Sequence, residues 1–217
     1  MTEAHSPQLV EADPAMVWDA LANRLYEIHA DMHEDVSEIA SIIQDMPPNG
    51  RLLDVGCGFG RVVSLIMRHE IGPFQPEQYV GVDCSARMIE KARELSPDYD
   101  FRVGRLGSLE EVITEPFDAF LLLRVLADVQ RTKVTDALAN IRGHLKVGAV
   151  GMVQADYGDS SRLLTHEDSP CIPEGTVATC NQYLPEELED YARAAGFQLQ
   201  GRFMPCPCHF TLFLKAV

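Results

Sequence analysis

The sequence predicts an α/β fold: a doubly wound, seven-stranded, mostly parallel sheet with an antiparallel C-terminal edge pair, preceded by an N-terminal helical lid. Three observations predict it. From residue 50 onward, short apolar runs alternate with stretches of helical spacing, the pattern of a parallel sheet covered on both faces. A glycine-rich turn, "GCGFG" from Gly56 to Gly60, directly follows the first of those runs. The last two apolar runs have no helix between them, so they must pair antiparallel at an edge.

Each element has a local reason. Asp13-Pro14 reads as a helix start, an acid capping and a proline in the first turn. Trp18, Leu21, Leu25, Ile28, Met32, Val36, Ile39 and Ile43 then recur at helical spacing over a run long enough for two helices, which "MPPNG" ends. Leu52–Val55 is the first strand and Arg61–His69 the helix behind the glycines. Tyr79–Val82 is the second strand, followed by a helix over Ser85–Leu95 that Ser85 caps. Phe101–Val103 is the third strand, and Ser108 with Glu111 has the spacing of a capping box. Phe117–Leu123 is the fourth strand, Thr132–Leu145 a helix and Ala149–Ala155 the fifth strand. Pro185–Ala195 is the last helix, before strands at Phe197–Phe203 and Phe210–Lys215. The connection from Asp156 to Gln182 is long for a structureless loop, which points to function, and it carries Asp156, Tyr157, His166 and Asp168.

Composition narrows the function classes. The chain has 217 residues, 46% hydrophobic and 24% charged, as in soluble globular proteins. It has no apolar run near the ~20 residues that span a bilayer, and "MTEAHSPQLVEADP" lacks the basic start and apolar core of a secretion signal. A cytoplasmic location is the expectation, with the six cysteines as reduced thiols. Of a net charge of −15, the acid-rich first fifty residues hold ten acids against Arg24 alone. Such a surface repels phosphate backbones and anionic lipid, which disfavours a nucleic acid or membrane partner and favours a small molecule. It also favours a neutral or cationic substrate.

The glycine turn carries the chemistry. In doubly wound folds ligands sit beyond the carboxyl ends of the strands, where strand order reverses. A dinucleotide site calls for G-x-G-x-x-G with a helix N-terminus cradling a pyrophosphate. Here the spacing is G-x-G-x-G, and Arg61 stands where the last glycine belongs. Asp54, two residues ahead of the turn, would face that pyrophosphate with like charge. An acid is attractive there if the ligand is cationic and phosphate-free. Asp83, at the tip of the second strand, is placed to take the two hydroxyls of a ribose. S-adenosylmethionine, with an ammonium, a sulfonium and no phosphate, satisfies both acids.

With these residues in hand, the chain resembles the class I (Rossmann-like) S-adenosylmethionine-dependent methyltransferases over residues 50–217. "LLDVGCGFGR" is similar to the family's first motif and "VGVDCSARMIEKAR" to its second-strand segment. "EPFDAFLLLRVLADV", "ANIRGHLKVGAVGMV" and "YLPEELEDYARAAGF" follow in the family's order. The resemblance implies that Gly56, Gly58 and Gly60 approach the methionine part of the cofactor and that Asp54 serves its amino group. It implies that Asp83 holds the ribose, that Cys84 and Met88 lie against adenine, and that Arg105 and Leu106 close the adenine edge. Leu123 is implied to lie near the methionine part. Two positions depart from the family pattern: Arg105 stands where relatives place an acid, and Ala127-Asp128 stands where they often carry histidine.

The implied activity is methyl transfer to nitrogen or oxygen of a small acceptor by direct in-line displacement, which rests on positioning and needs no compact catalytic signature. No catalytic residue is assigned. Residues 1–49 form the lid on the substrate side, and candidate acceptor-pocket residues are Tyr26, His29, His33, Asp128, Tyr157 and His166. His29 and His33 at i, i+4 have metal spacing without a third ligand, and no metal is expected. Alternatives are a silent or regulatory cofactor-binding protein, a protein-side-chain methyltransferase, and a thiol-rich metalloid site using Cys171, Cys180, Cys206 and Cys208. A nicotinamide-dependent oxidoreductase is disfavoured by Asp54 and Arg61.

Overall fold

The computed structural model describes residues 10–29, 35–69, 71–169 and 172–217. The chain runs β1 (Val10–Glu11), α1 (Pro14–His29), α2 (Val36–Asp45), β2 (Leu52–Val55), α3 (Arg61–Arg68), β3 (Tyr79–Asp83), α4 (Ala86–Leu95) and β4 (Asp100–Val103). It continues with β5 (Phe117–Leu123), α5 (Val134–Gly143), β6 (Leu145–Asp156), β7 (Ser161–Leu164), β8 (Thr176–Asn181), α6 (Pro185–Ala194), β9 (Phe197–Cys206) and β10 (His209–Ala216). Among the described residues no helix is long and apolar enough to cross a membrane.

Seven strands form the main sheet in the order β4-β3-β2-β5-β6-β10-β9. The first five are parallel, while β10 pairs antiparallel with both β6 and β9. The chain steps outward from β2 to β4, then returns to start β5 on the other side of β2. That reversal opens a crevice between the carboxyl ends of β2 and β5. Because both faces are covered, β2 is buried along its whole length, and two apolar cores flank the sheet. Ile39 and Ile42 of α2 sit in one of these with Leu52, Val63 and Met152, which fixes α2 against the sheet.

The caps behave as their chemistry dictates, with one exception. Asp13 accepts from the Ala15 amide at 3.0 Å and Ser85 from the Met88 amide at 3.1 Å, each at its helix start. Ser108 makes no side-chain cap. The Leu109 amide instead takes Asn140 Oδ1 at 3.1 Å from α5, so a tertiary acceptor replaces the local one.

The connection from Asp156 to Gln182 is not structureless. It holds β7 and β8, which pair antiparallel, and β8 pairs in parallel with β1 to form a three-stranded sheet. The short, half-polar "SRLL" and "TVATCN" segments carry little apolar alternation, and pairing with each other and with β1 supplies what pattern alone did not. The all-reduced cysteine inventory also changes. Cys57, Cys84 and Cys180 are free thiols, whereas Cys208, in the tight turn between β9 and β10, is disulfide-bonded.

Candidate functional site

A cavity of about 310 Å³ opens at the carboxyl ends of β2, β3 and β5. Its floor is the glycine turn. Gly56 (φ 75) sits where an added Cβ would lie 2.1 Å from Val125 Cγ2, so no side chain fits. Gly58 (φ 54) is the opposite case: an added Cβ would meet nothing within 4 Å. Its left-handed backbone and the open space beside it let a ligand approach the main chain itself.

Two acids flank this turn, and one of them holds it. The Gly58 amide donates to Asp83 Oδ2 at 2.9 Å and the Ser85 amide to Asp83 Oδ1 at 2.8 Å. Each carboxylate oxygen thus has one backbone donor and keeps acceptor capacity for a ligand. Burial raises the Asp83 carboxyl above its ordinary range, against the lowering effect of those two amides. Asp54 is 1% exposed and accepts from Tyr79 Oη at 2.6 Å. Desolvation pushes its carboxyl up to about 6, although the Tyr79 hydroxyl and the nearby Arg61 both oppose this. A carboxylate kept this dry is destabilised until a cation joins it.

The walls add residues that the sequence reading had not placed there. Trp18 of α1 reaches over the cavity, and its indole Nε1 donates to Asp128 Oδ2 at 3.0 Å. Burial pushes the Asp128 carboxyl up to about 7, with Asp156 and Asp83 adding to the rise. Asp35 lies on the wall in a left-handed conformation (φ 72), paired with Arg61 Nη2 at 3.1 Å and accepting from Gln154 Nε2 at 2.6 Å. Arg124 lines the cavity directly after β5.

Of the residues chosen from sequence, Asp54, Gly56, Gly58, Asp83, Cys84, Met88, Leu106, Leu123 and Asp128 line this cavity. Gly60 and Arg105 do not. Gly60 caps α3 against the Phe101 ring. Arg105 makes a two-pronged ion pair with Asp13 at 2.6 and 2.9 Å, pinning the loop after β4 to the start of α1. Tyr157 forms a bridge with Tyr183 and is 38% exposed. His166 Nδ1 contacts the Ile172 carbonyl at 2.7 Å. Neither reaches the cavity. The side chains of Tyr26 and His29, and all of His33, lie outside the described residues.

Because the Arg105–Asp13 pair is about half exposed, its contribution to stability is small. Arg105→Ala is expected to cost under about 1 kcal/mol of unfolding free energy and to leave S-adenosylhomocysteine affinity within about twofold, read by denaturation and calorimetry. A loss of affinity comparable to that of a cavity variant would return Arg105 to the ligand.

A parallel sheet with an antiparallel edge pair carries, at its reversal point, a glycine turn and two acids on adjacent strands that line one cavity. The comparisons place this architecture among known proteins. Residues 53–150 match the family described as Methyltransferase domain. The CcbJ methyltransferase from Streptomyces caelestis superposes with a TM-score of 0.70 at 18% identity, over 95% of this chain and 100% of that one. Magnesium protoporphyrin IX methyltransferase from Synechocystis PCC 6803, solved with bound S-adenosylhomocysteine, gives 0.67 at 14% identity, over 93% and 98%. An S-adenosylmethionine-dependent methyltransferase from Clostridium acetobutylicum gives 0.64 at 14% identity, over 92% and 98%. No curated protein matches significantly by sequence. Residues 53–150 thus match a methyltransferase domain, and the fold is the one these S-adenosylmethionine-dependent methyltransferases share.

Proposed function

We propose that this chain is a cytoplasmic enzyme that moves the methyl group of S-adenosylmethionine to nitrogen or oxygen of a small molecule. The observation that carries the reading is the cavity itself. It joins the acids of β2 and β3 to Asp128 in one space of about 310 Å³, at the small end of ligand sites. Trp18 reaches across it from α1. The net charge of −15 further disfavours a polyanionic substrate.

The residues present fit the cofactor. Asp83, with its remaining lone pairs, would hold the ribose hydroxyls, and Met88 and Cys84 beside it would pack the base. Asp54 and the open backbone at Gly58 would meet the amino-acid portion. When bound, the cofactor supplies an electrophilic methyl on a positively charged sulfur. Trp18 and the apolar part of the wall would shield that centre from water, which would strengthen the charge interactions inside. Asp128 is the group we assign to the acceptor's proton: it lies on the cavity wall, and Trp18 uses only one of its two oxygens. A carboxyl near 7 is poised to accept a proton at neutral pH.

Calorimetric titration with S-adenosylhomocysteine tests the cofactor site, and incubation of methyl-labelled donor with a pool of amines and phenols tests turnover. Label is expected in a small product. No heat from a folded protein with either the donor or its demethylated product sinks the reading. Label found only in added polypeptide would reassign the acceptor to a protein side chain.

The proton role has its own signature. With an acceptor that must lose a proton, kcat/KM is expected to rise through about pH 7, and Asp128→Asn to remove that rise. The Trp18 hydrogen bond holds the Asp128 pKa down, so Trp18→Phe is expected to move the rise to higher pH. A pH profile unchanged in both variants would exclude Asp128 from proton transfer.

A further inference from the structure

We infer that Arg124 forms a carboxylate-binding subsite in the cavity wall, presenting its guanidinium to an anionic group of the bound ligands. The inference rests on the methyl-transfer reading of the cavity and specifies the chemistry of what enters it.

Arg124 is held in a left-handed conformation (φ 62, ψ 15) at the end of β5, a region that non-glycine residues enter only under constraint. The Arg124 amide donates to the Gln154 carbonyl at 3.0 Å, which fixes this backbone to β6. Its Nη2 donates to His209 Nδ1 at 3.2 Å. A guanidinium can only donate, so that imidazole nitrogen accepts. The Nε–H is fully buried and has no hydrogen-bond partner. Among the described residues no carboxylate lies within ion-pair distance of Arg124, whereas Arg61, the other arginine on this wall, is paired with Asp35. A strained backbone and an unneutralised charge at one cavity-lining residue are each costly in the ligand-free protein. The buried Nε is closed off from the cavity, so what an anion there relieves is the charge.

The geometry favours a carboxylate over a phosphate. A guanidinium matches a planar carboxylate in a two-pronged pair. Asp35, Asp54, Asp83 and Asp128 already line the same space, so a doubly charged group meets four like charges where a singly charged one meets less repulsion. The carboxylate has two possible sources, the amino-acid portion of the cofactor or the acceptor itself.

The experiment separates them. Wild type, Arg124→Gln and Arg124→Lys are titrated calorimetrically with S-adenosylhomocysteine and with 5′-methylthioadenosine, which lacks the amino-acid portion. The same proteins, with and without saturating S-adenosylhomocysteine, are melted in sodium acetate or benzoate against acetamide or benzamide at matched ionic strength. If the cofactor supplies the carboxylate, Arg124→Gln lowers S-adenosylhomocysteine affinity about tenfold or more and leaves 5′-methylthioadenosine unchanged. If the acceptor supplies it, both nucleosides bind as in wild type, while acetate or benzoate stabilises wild type and not Arg124→Gln. Arg124→Lys keeps the charge but not the planar fork, and is expected to fall between. Variants that match wild type in every arm, while melting within a few degrees of it, overturn the inference. A wild type that binds neither nucleoside sinks the methyl-transfer reading instead, and the carboxylate melts without nucleoside still decide Arg124.

Discussion

Asp83→Ala is expected to lower affinity for S-adenosylhomocysteine about a hundredfold or more. Both oxygens of Asp83 already hold backbone amides, from Gly58 and Ser85, and in the proposed function the lone pairs left over would accept from two ribose hydroxyls. Hydrogen bonds to a charged group contribute about 1.5–3 kcal/mol each, so two amount to about 3 kcal/mol at the low end, or about two powers of ten. The effect has a second route. Without the carboxylate the Gly58 amide loses its partner, and the turn is no longer tied to the tip of β3. Asp83→Asn keeps one acceptor oxygen but no charge, and its amide must face one of the two backbone donors, so an intermediate loss is expected. Calorimetry on the folded variants measures this directly. An Asp83→Ala protein that binds within threefold of wild type would mean the sugar lies elsewhere in the cavity.

That Asp83 and Asp54 could be chosen from sequence, and Trp18 and Arg124 could not, has a physical reason. In a parallel sheet the end of each apolar run is the end of a strand, and strand ends converge on one crevice. A polar residue at such an end is therefore located in space by local pattern alone. Asp54 and Asp83 meet that condition, and Gly56 and Gly58 follow from it. Trp18 fits a helical apolar stripe equally well as a core residue. Its true partner, Asp128, is 110 positions away, and only the path of α1 over the crevice brings them together. Arg124 follows a strand tip, but its meaning lies in what it lacks, an acid in reach, which no local pattern reveals. Arg105 failed in the reverse way. Its position after β4 was located correctly, but Asp13, 92 residues earlier, claims its side chain. The β7–β8 hairpin stayed hidden because its strands are short and partly polar, and their stability comes from pairing rather than from a buried face.

The pH dependence of Asp54 gives the second large effect, and it links stability to function. Desolvation pushes its folded-state carboxyl up to about 6, against an ordinary value of 3.8. The native state therefore binds this proton more tightly than the unfolded chain does. The contribution to stability is fully present below 3.8 and is lost as pH rises through about 6. By pH 7 the ionised, buried carboxylate costs on the order of 3 kcal/mol. Asp83 and Asp128 are shifted in the same direction, so the ligand-free protein is expected to melt at a higher temperature at pH 5 than at pH 7.5. An ammonium beside Asp54 reverses the balance, because a neighbouring cation favours the charged form. The stabilisation given by S-adenosylhomocysteine is therefore expected to grow from pH 5 to pH 7.5. Asp54→Asn is expected to raise the melting temperature of the ligand-free protein at neutral pH while weakening the nucleoside and flattening its pH profile. The trade is specific: a residue that serves only the core would not gain stability and lose ligand in one substitution. Equal S-adenosylhomocysteine affinity at both pH values in wild type, or undiminished affinity in Asp54→Asn, would remove Asp54 from the ligand and leave its burial without a function.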